Sequence, residues 1–208
     1  MNLDRILPLV RQEIAALGRE FRHAPACILT EEDLRGHLFS RFNAIPALHD
    51  ARDTADHDVL GTAVHANFSW FDDSGRLNLR PDLTVLSPSR LSIYRSLQPG
   101  HLLPRKGAHA YGDAILIELK FFHERVGVPR TAVARIHDDY NKICTLVSRN
   151  RRLQPDGGFA GIVVVFARYD GVPDTLQELL TNPNSPDVSV VYESARLPRL
   201  VARRAYGA

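Results

Sequence analysis

Along the first stretch, apolar residues recur at alternating spacings of four and three, at Leu3, Leu7, Val10, Ile14 and Leu17. This spacing predicts an amphipathic helix that ends near Gly18. Such a stripe suits a helix packed on its own domain or a dimer seam, although two or three heptads are too few to argue a coiled coil. Thr30-Glu31-Glu32-Asp33 opens a second helix, with Thr30 as N-cap, acids in the first turn and Leu34, Leu38 and Phe42 as its apolar side. Residues 44–60 are polar and acidic and read as loop. Val64, Ala66, Phe68 and Trp70 then alternate with polar residues, Asp72-Asp73-Ser74-Gly75 makes a turn, and Leu77 to Leu86 returns as the second arm of a β-hairpin. Residues 87–112 show no clear periodicity, and connections of that length are usually functional or mobile.

The second half alternates between the two kinds of element. Asp113 to Phe122 reads as a buried strand, and Val128-Pro129-Arg130 leads into a helix through about Arg149 with Ile136, Tyr140, Ile143 and Val147 on one face. Gly161 to Phe166 reads as a fully buried strand, followed by a short helix around Asp174 to Leu180 and a strand from Val188 to Tyr192. There is no internal repeat or linker, so residues 1–208 read as one α/β domain. It comprises an N-terminal helix over 1–25, a core over 30–195 and an insertion over 87–112.

Two of these strands carry charge where apolar residues are expected. In Asp113-Ala-Ile-Leu-Ile-Glu118-Leu-Lys120-Phe-Phe122, residues two apart share a face. Glu118 and Lys120 therefore point one way, and Ile115, Ile117 and Leu119 the other. Asp82, in Arg80-Pro81-Asp82-Leu-Thr-Val85, lies at the start of the hairpin's return arm. Charge on an apolar strand costs free energy unless it is paired, hydrated or metal-bound, which points to a functional cleft. On the second helix, Glu31 precedes Leu34 by three and Leu38 by seven and shares their inward stripe, whereas Glu32 is turned about 100° away.

Pro81-Asp82 with Glu118-Leu119-Lys120 resembles the motif of the PD-(D/E)XK nuclease superfamily, and the order helix, hairpin, strand, helix, strand resembles its αβββαβ restriction-endonuclease-like core, a mixed sheet flanked by helices. The resemblance implies a metal-dependent deoxyribonuclease that hydrolyses phosphodiester bonds with a metal-activated water, leaving 5′-phosphate and 3′-hydroxyl ends. It implies Asp82, Glu118, Lys120 and Glu31 as catalytic residues, with Glu32 in reserve for Glu31. Mg²⁺ or Mn²⁺ would be bound by Asp82, Glu118, the Leu119 carbonyl and Glu31, since hard cations prefer oxygen ligands. Lys142 would lie near the phosphate, with Asp139 beside it as the alternative partner of a simple surface ion pair. Double-stranded DNA is the expected substrate, and a homodimer would place two sites on two strands. The alternative is a catalytically silent DNA-binding or assembly module on the same scaffold.

Composition changes this picture only a little. The formal charge is +2, which neither demands nor excludes nucleic acid, and Lys occurs only at Lys106, Lys120 and Lys142. Two of the three thus fall at site positions, where a compact ammonium with a movable pKa differs from an Arg fork. Arg105, Lys106 and the aromatic Tyr94 and Tyr111 make the 87–112 excursion a DNA-contacting candidate. His49, Asp50, Asp53, Asp56, His57 and Asp58 carry no metal-ligand signature and read as a solvated or substrate-facing loop. His137-Asp138 raises an all-helical phosphohydrolase dyad, which the strand-rich middle argues against. Cys27 and Cys144 form no metal spacing and read as buried thiols. No run is apolar enough to span a membrane and the N-terminus is unlike a signal peptide, so a cytoplasmic protein is expected.

Overall fold

The computed structural model describes residues 2–56, 58–71, 77–93, 109–110 and 112–197. Five strands form one mixed sheet: β1 (Val64–Ala66), β2 (Leu83–Leu86), β3 (Ala114–Phe122), β4 (Phe159–Ala167) and β5 (Val188–Ser194). They lie in the order β5-β4-β3-β2-β1. The β3–β4 and β4–β5 pairs are parallel, while β2 pairs antiparallel with both β3 and β1. Parallel neighbours need a crossover, and the helices α3 (Arg130–Leu153) and α4 (Asp174–Thr181) provide it. Two further helices, α1 (Leu3–His23) and α2 (Glu31–Ala44), precede the sheet in the chain.

The alternation of side chains sorts the sheet into two cores. Ile115, Ile117 and Leu119 of β3, with Ile162, Val164 and Phe166 of β4, pack against Val10, Ile14, Leu17, Leu34 and Leu38 of α1 and α2. On the other face Ala114, Leu116, Val163 and Val165 meet Ile136, Tyr140, Ile143 and Val147 of α3. All nine residues of β4 are buried, as expected for an interior strand of a sheet covered on both faces. Among the described residues, no helix is long and apolar enough to cross a membrane.

Several local features differ from the sequence reading. α1 does not stop near Gly18 but continues to His23. Gly18 is buried, and the Glu193 side chain of β5 occupies the space where its Cβ would stand. That glycine makes room for a neighbour rather than ending the helix, and Arg22, one turn on, pairs with the same carboxylate. The buried face of α1 runs through Ile6, Val10, Ile14, Leu17 and Phe21, so this stripe serves the domain's own core rather than a dimer seam. The hairpin is interrupted: β1 pairs with β2, Trp70–Phe71 pairs separately with Leu77–Leu79, and Asn67 between them has φ 54°. Residues 44–60 are not all loop, since Pro46–His49 makes one helical turn and Arg52–Asp53 pairs with Leu60–Gly61. Cys27 is exposed and Cys144 half-buried, so neither is the buried thiol expected.

His65 on β1 is half-buried beside Phe68, and burial pulls its imidazole below the usual histidine value despite a hydrogen bond with the Thr62 carbonyl. The unfolded chain therefore takes up a proton first as pH falls below about 6.5, and the fold loses stability from there downward. Replacing His65 with Gln is expected to flatten that acid limb, measured as Tm against pH between about 7 and 5.

Candidate active site

The register of β2 on β3 decides where the strand charges meet. Leu83 pairs with Ile117, so one step further the antiparallel register sets Asp82 opposite Glu118. Both are buried, at 9% and 5% exposure, and the Asp82 Oδ2 accepts a hydrogen bond from the Leu119 N–H at 2.8 Å. The N–H and C=O of a strand residue point to the same edge, so the Leu119 carbonyl faces the Asp82 side too. Lys120 follows two residues after Glu118, with its Nζ 3.6 Å from Glu118 Oε1.

The helix α3 adds a second acid–base pair. Asp139 and Lys142 stand one turn apart, 3.2 Å from each other. Neither is confined to that surface pairing: Lys142 Nζ is 2.7 Å from Glu118 Oε2, and Lys120 Nζ is 3.0 Å from Asp139 Oδ2. The four groups thus alternate in sign around a short ring at the end of β3. Ion pairs of this kind, with side chains about one-fifth exposed or less, are screened far less than surface pairs.

From the other face, α2 leans its first turn over the same strand end. Thr30 caps this helix, its hydroxyl accepting from the Asp33 N–H while the Asp33 carboxylate accepts from the Thr30 N–H, a reciprocal capping box. That cap fixes where the acids project. Glu31 is one-third exposed and its Oε2 lies 4.0 Å from Lys120 Nζ, whereas Glu32 is 74% exposed and pairs with Arg35 at 3.5 Å. Of the two acids, Glu31 is the one that reaches the cluster.

Arg35 is the residue the sequence reading missed. Its Nε lies 3.5 Å from Asp82 Oδ1 and has no aligned hydrogen-bond partner, though it is fully enclosed. It sits one turn after Glu31, which was visible, but its meeting with Asp82 is a tertiary contact that no local spacing encodes.

Burial and like charge act together on the acids. Burial pushes the Glu118 carboxyl up to about 7, with Asp82 and Asp139 pushing the same way and Lys142 pulling it down. Glu31 is also raised, mainly by burial and partly by Asp82, against the pull of Lys120. Burial alone would lower Lys120, but Asp139, Glu31 and Glu118 outweigh it and hold the ammonium above its usual value. Burial would raise Asp139, yet Lys120 and Lys142 outweigh that and leave it below the ordinary carboxylate value. An ammonium so held can orient water and stabilise negative charge.

The loops beyond β3 and β4 are locked backbone to backbone beside this site. The Val128 N–H donates to the Gly171 carbonyl at 3.0 Å, and Gly127 and Gly171 have φ 77° and 155°. A Cβ on Gly127 would stand 2.6 Å from the Gly171 oxygen, and one on Gly171 would collide with the Val126 carbonyl. Gly171→Ala is therefore expected to destabilise the fold by about 2–3 kcal/mol, combining backbone strain with overpacking, as read from the midpoint of urea unfolding.

The remaining site expectations fall elsewhere. Arg105 and Lys106, with Tyr94 and Tyr111, lie outside the described residues. His137 is half-buried and Asp138 exposed on α3. Asp56 is used structurally: its carboxylate accepts from the Ser92 hydroxyl at 2.7 Å and the Ile93 N–H at 2.6 Å, which clamps the start of the 87–112 excursion.

Among the described residues, no three His, Cys, Asp or Glu side chains converge closely enough to hold a metal ion by themselves. The donor set is nonetheless of the kind a hard cation takes. Two facing carboxylates and a neighbouring carbonyl, all oxygen donors, suit Mg²⁺ or Mn²⁺, since Mg²⁺ keeps several water ligands and needs only one or two protein carboxylates. The chain matches no family model, no curated protein and no solved structure, so its likeness to the PD-(D/E)XK nucleases rests on these residues and their arrangement alone.

Proposed function

We propose that this chain is a divalent-metal-dependent nuclease with a restriction-endonuclease-like core, hydrolysing phosphodiester bonds in double-stranded DNA. The observation that carries the reading is the register that sets Asp82 opposite Glu118, with Lys120 two residues further along the same face. Asp82, Glu118 and the Leu119 carbonyl would hold Mg²⁺ or Mn²⁺, and Glu31 would stand near a second ion or a bound water. When bound, the ion supplies an acidified water and neutralises charge on the phosphate. Lys120 donates N–H bonds that orient the attacking water and stabilise negative charge on the phosphate oxygens. Asp139 and Lys142 position Lys120 and Glu118 through the ring of ion pairs. The products would carry 5′-phosphate and 3′-hydroxyl ends, a homodimer would cut both strands, and a cytoplasmic setting suits such an enzyme.

One observation favours the second reading, a silent DNA-binding or assembly module. Asp82, Glu118, Glu31 and Asp139 each already have a protein cation as neighbour, so Arg35, Lys120 and Lys142 offset most of their charge without a metal. Supercoiled, linear and single-stranded DNA incubated with and without Mn²⁺, and resolved on a gel, separates the two readings. Metal-dependent nicking or linearisation of the supercoiled form is the expected result. No cleavage of any of the three substrates, with binding retained, would establish the silent module instead.

A further inference from the structure

Resting on the nuclease reading, we infer that Arg35 is an internal counter-ion of Asp82 which the metal must displace, and which on release binds a backbone phosphate of the DNA. Metal loading and substrate capture are then coupled through one side chain. The geometry is that of a held but loosely seated group. Arg35 Nε approaches Asp82 Oδ1 at 3.5 Å, beyond a good charge-assisted hydrogen bond, and that enclosed N–H has no aligned acceptor. Asp82 Oδ2 meanwhile is fixed by the Leu119 N–H, so the carboxylate stays in place whichever cation faces its other oxygen.

The position of Arg35 allows the exchange. Its side chain is 23% exposed, on the helix that also carries Glu31, and Glu32 on the solvent side holds the guanidinium at 3.5 Å. A guanidinium drawn between an exposed acid and a buried one has a short path outward. A divalent ion against Asp82 would repel it, and a planar fork of donors is suited to a phosphate. The other two cations sit closer to a carboxylate: Lys142 lies 2.7 Å from Glu118 and Lys120 3.0 Å from Asp139. Of the three cations, Arg35 has the longest nearest contact to a carboxylate, 3.5 Å.

The coupling predicts effects of opposite sign, which a merely structural role would not give. In R35Q, Mn²⁺ titrated calorimetrically into the protein without DNA should bind about fivefold more tightly, the worth of a partly screened ion pair. R35K, which keeps the charge, should stay near wild type. In the cleavage reaction, kcat/KM of R35Q should fall, and the slope of its logarithm against log salt should shrink by about one, as one phosphate contact is lost. A thermal melt within a few degrees of wild type would show that both variants fold. Mn²⁺ affinity that is unchanged or weaker in R35Q, with a wild type that binds and cuts, would overturn this inference alone. A wild type that binds no Mn²⁺ and cuts nothing would overturn the nuclease reading and this coupling with it. A tighter metal site with an unaltered salt slope would leave Arg35 as counter-ion only and overturn its phosphate role.

Discussion

Asp82→Ala and Lys120→Ala are each expected to lower Mn²⁺-dependent DNA cleavage by on the order of 10²–10⁴-fold, the usual cost of removing a group that acts directly on developing charge. The two losses should differ in kind. Asp82 faces Glu118 across the β2–β3 register, so its removal takes away one of the two facing carboxylates and should weaken Mn²⁺ binding. Lys120 carries positive charge, so its removal should leave Mn²⁺ binding intact or tighter while cleavage still fails. DNA binding should survive both changes, since each removes a single charge and that of Asp82 is negative. Quantified nicking rates together with Mn²⁺ calorimetry check this, and a Lys120→Ala protein that cuts at the wild-type rate would sink the assignment. Removal of Lys120 also leaves Asp139 with Lys142 as its remaining partner at 3.2 Å, so a melting curve must accompany the activity measurement.

Phe166→Ala is expected to destabilise the fold by about 3–5 kcal/mol, the cost of emptying a large buried site that cannot collapse. Phe166 is fully buried on β4, and its ring packs on Phe21 of α1 with centroids 5.3 Å apart. Phe21 in turn meets Phe121 edge-on at 6.1 Å. The cavity would therefore open between the sheet and α1, under the strand end that carries Lys120. The shift in urea midpoint at constant slope measures it. A loss below about 1 kcal/mol would mean that α1 can move in to fill the gap.

What the sequence disclosed follows from which contacts are local. The period-2 pattern places Glu118 and Lys120 on one face and Ile115, Ile117 and Leu119 on the other, and the two cores sort along that division. The helical phase of Glu31 against Leu34 and Leu38 picks out the acid that lies beside Lys120. Both are properties of a single element. Arg35 could not be found this way, because its significance depends on Asp82 arriving from a strand 47 positions later. Gly18 misled for the same reason: a glycine late in a helical pattern is a stop signal only if nothing packs over it, and Glu193 of β5 does. Asn67 breaks the hairpin by taking φ 54°, a conformation that asparagine tolerates but whose use the alternation of Val64 to Trp70 does not announce. The expected contribution of Arg105 and Lys106 lies in a stretch for which no position is described.

The contact between Gly127 and Gly171 has a mechanical consequence. The loops after β3 and β4 are joined there by main chain, through a hydrogen bond and two glycines with no side chain to act as a spacer. Where α2 meets the strand end, Glu31 to Lys120 and Arg35 to Asp82 add charged side-chain contacts to the apolar packing of Leu34 and Leu38 on the sheet. Dissolved ions weaken charged contacts the more, the more exposed they are, and leave a main-chain hydrogen bond untouched. Added salt therefore works first on the more exposed Glu31–Lys120 contact and leaves the junction of the two loops as it is.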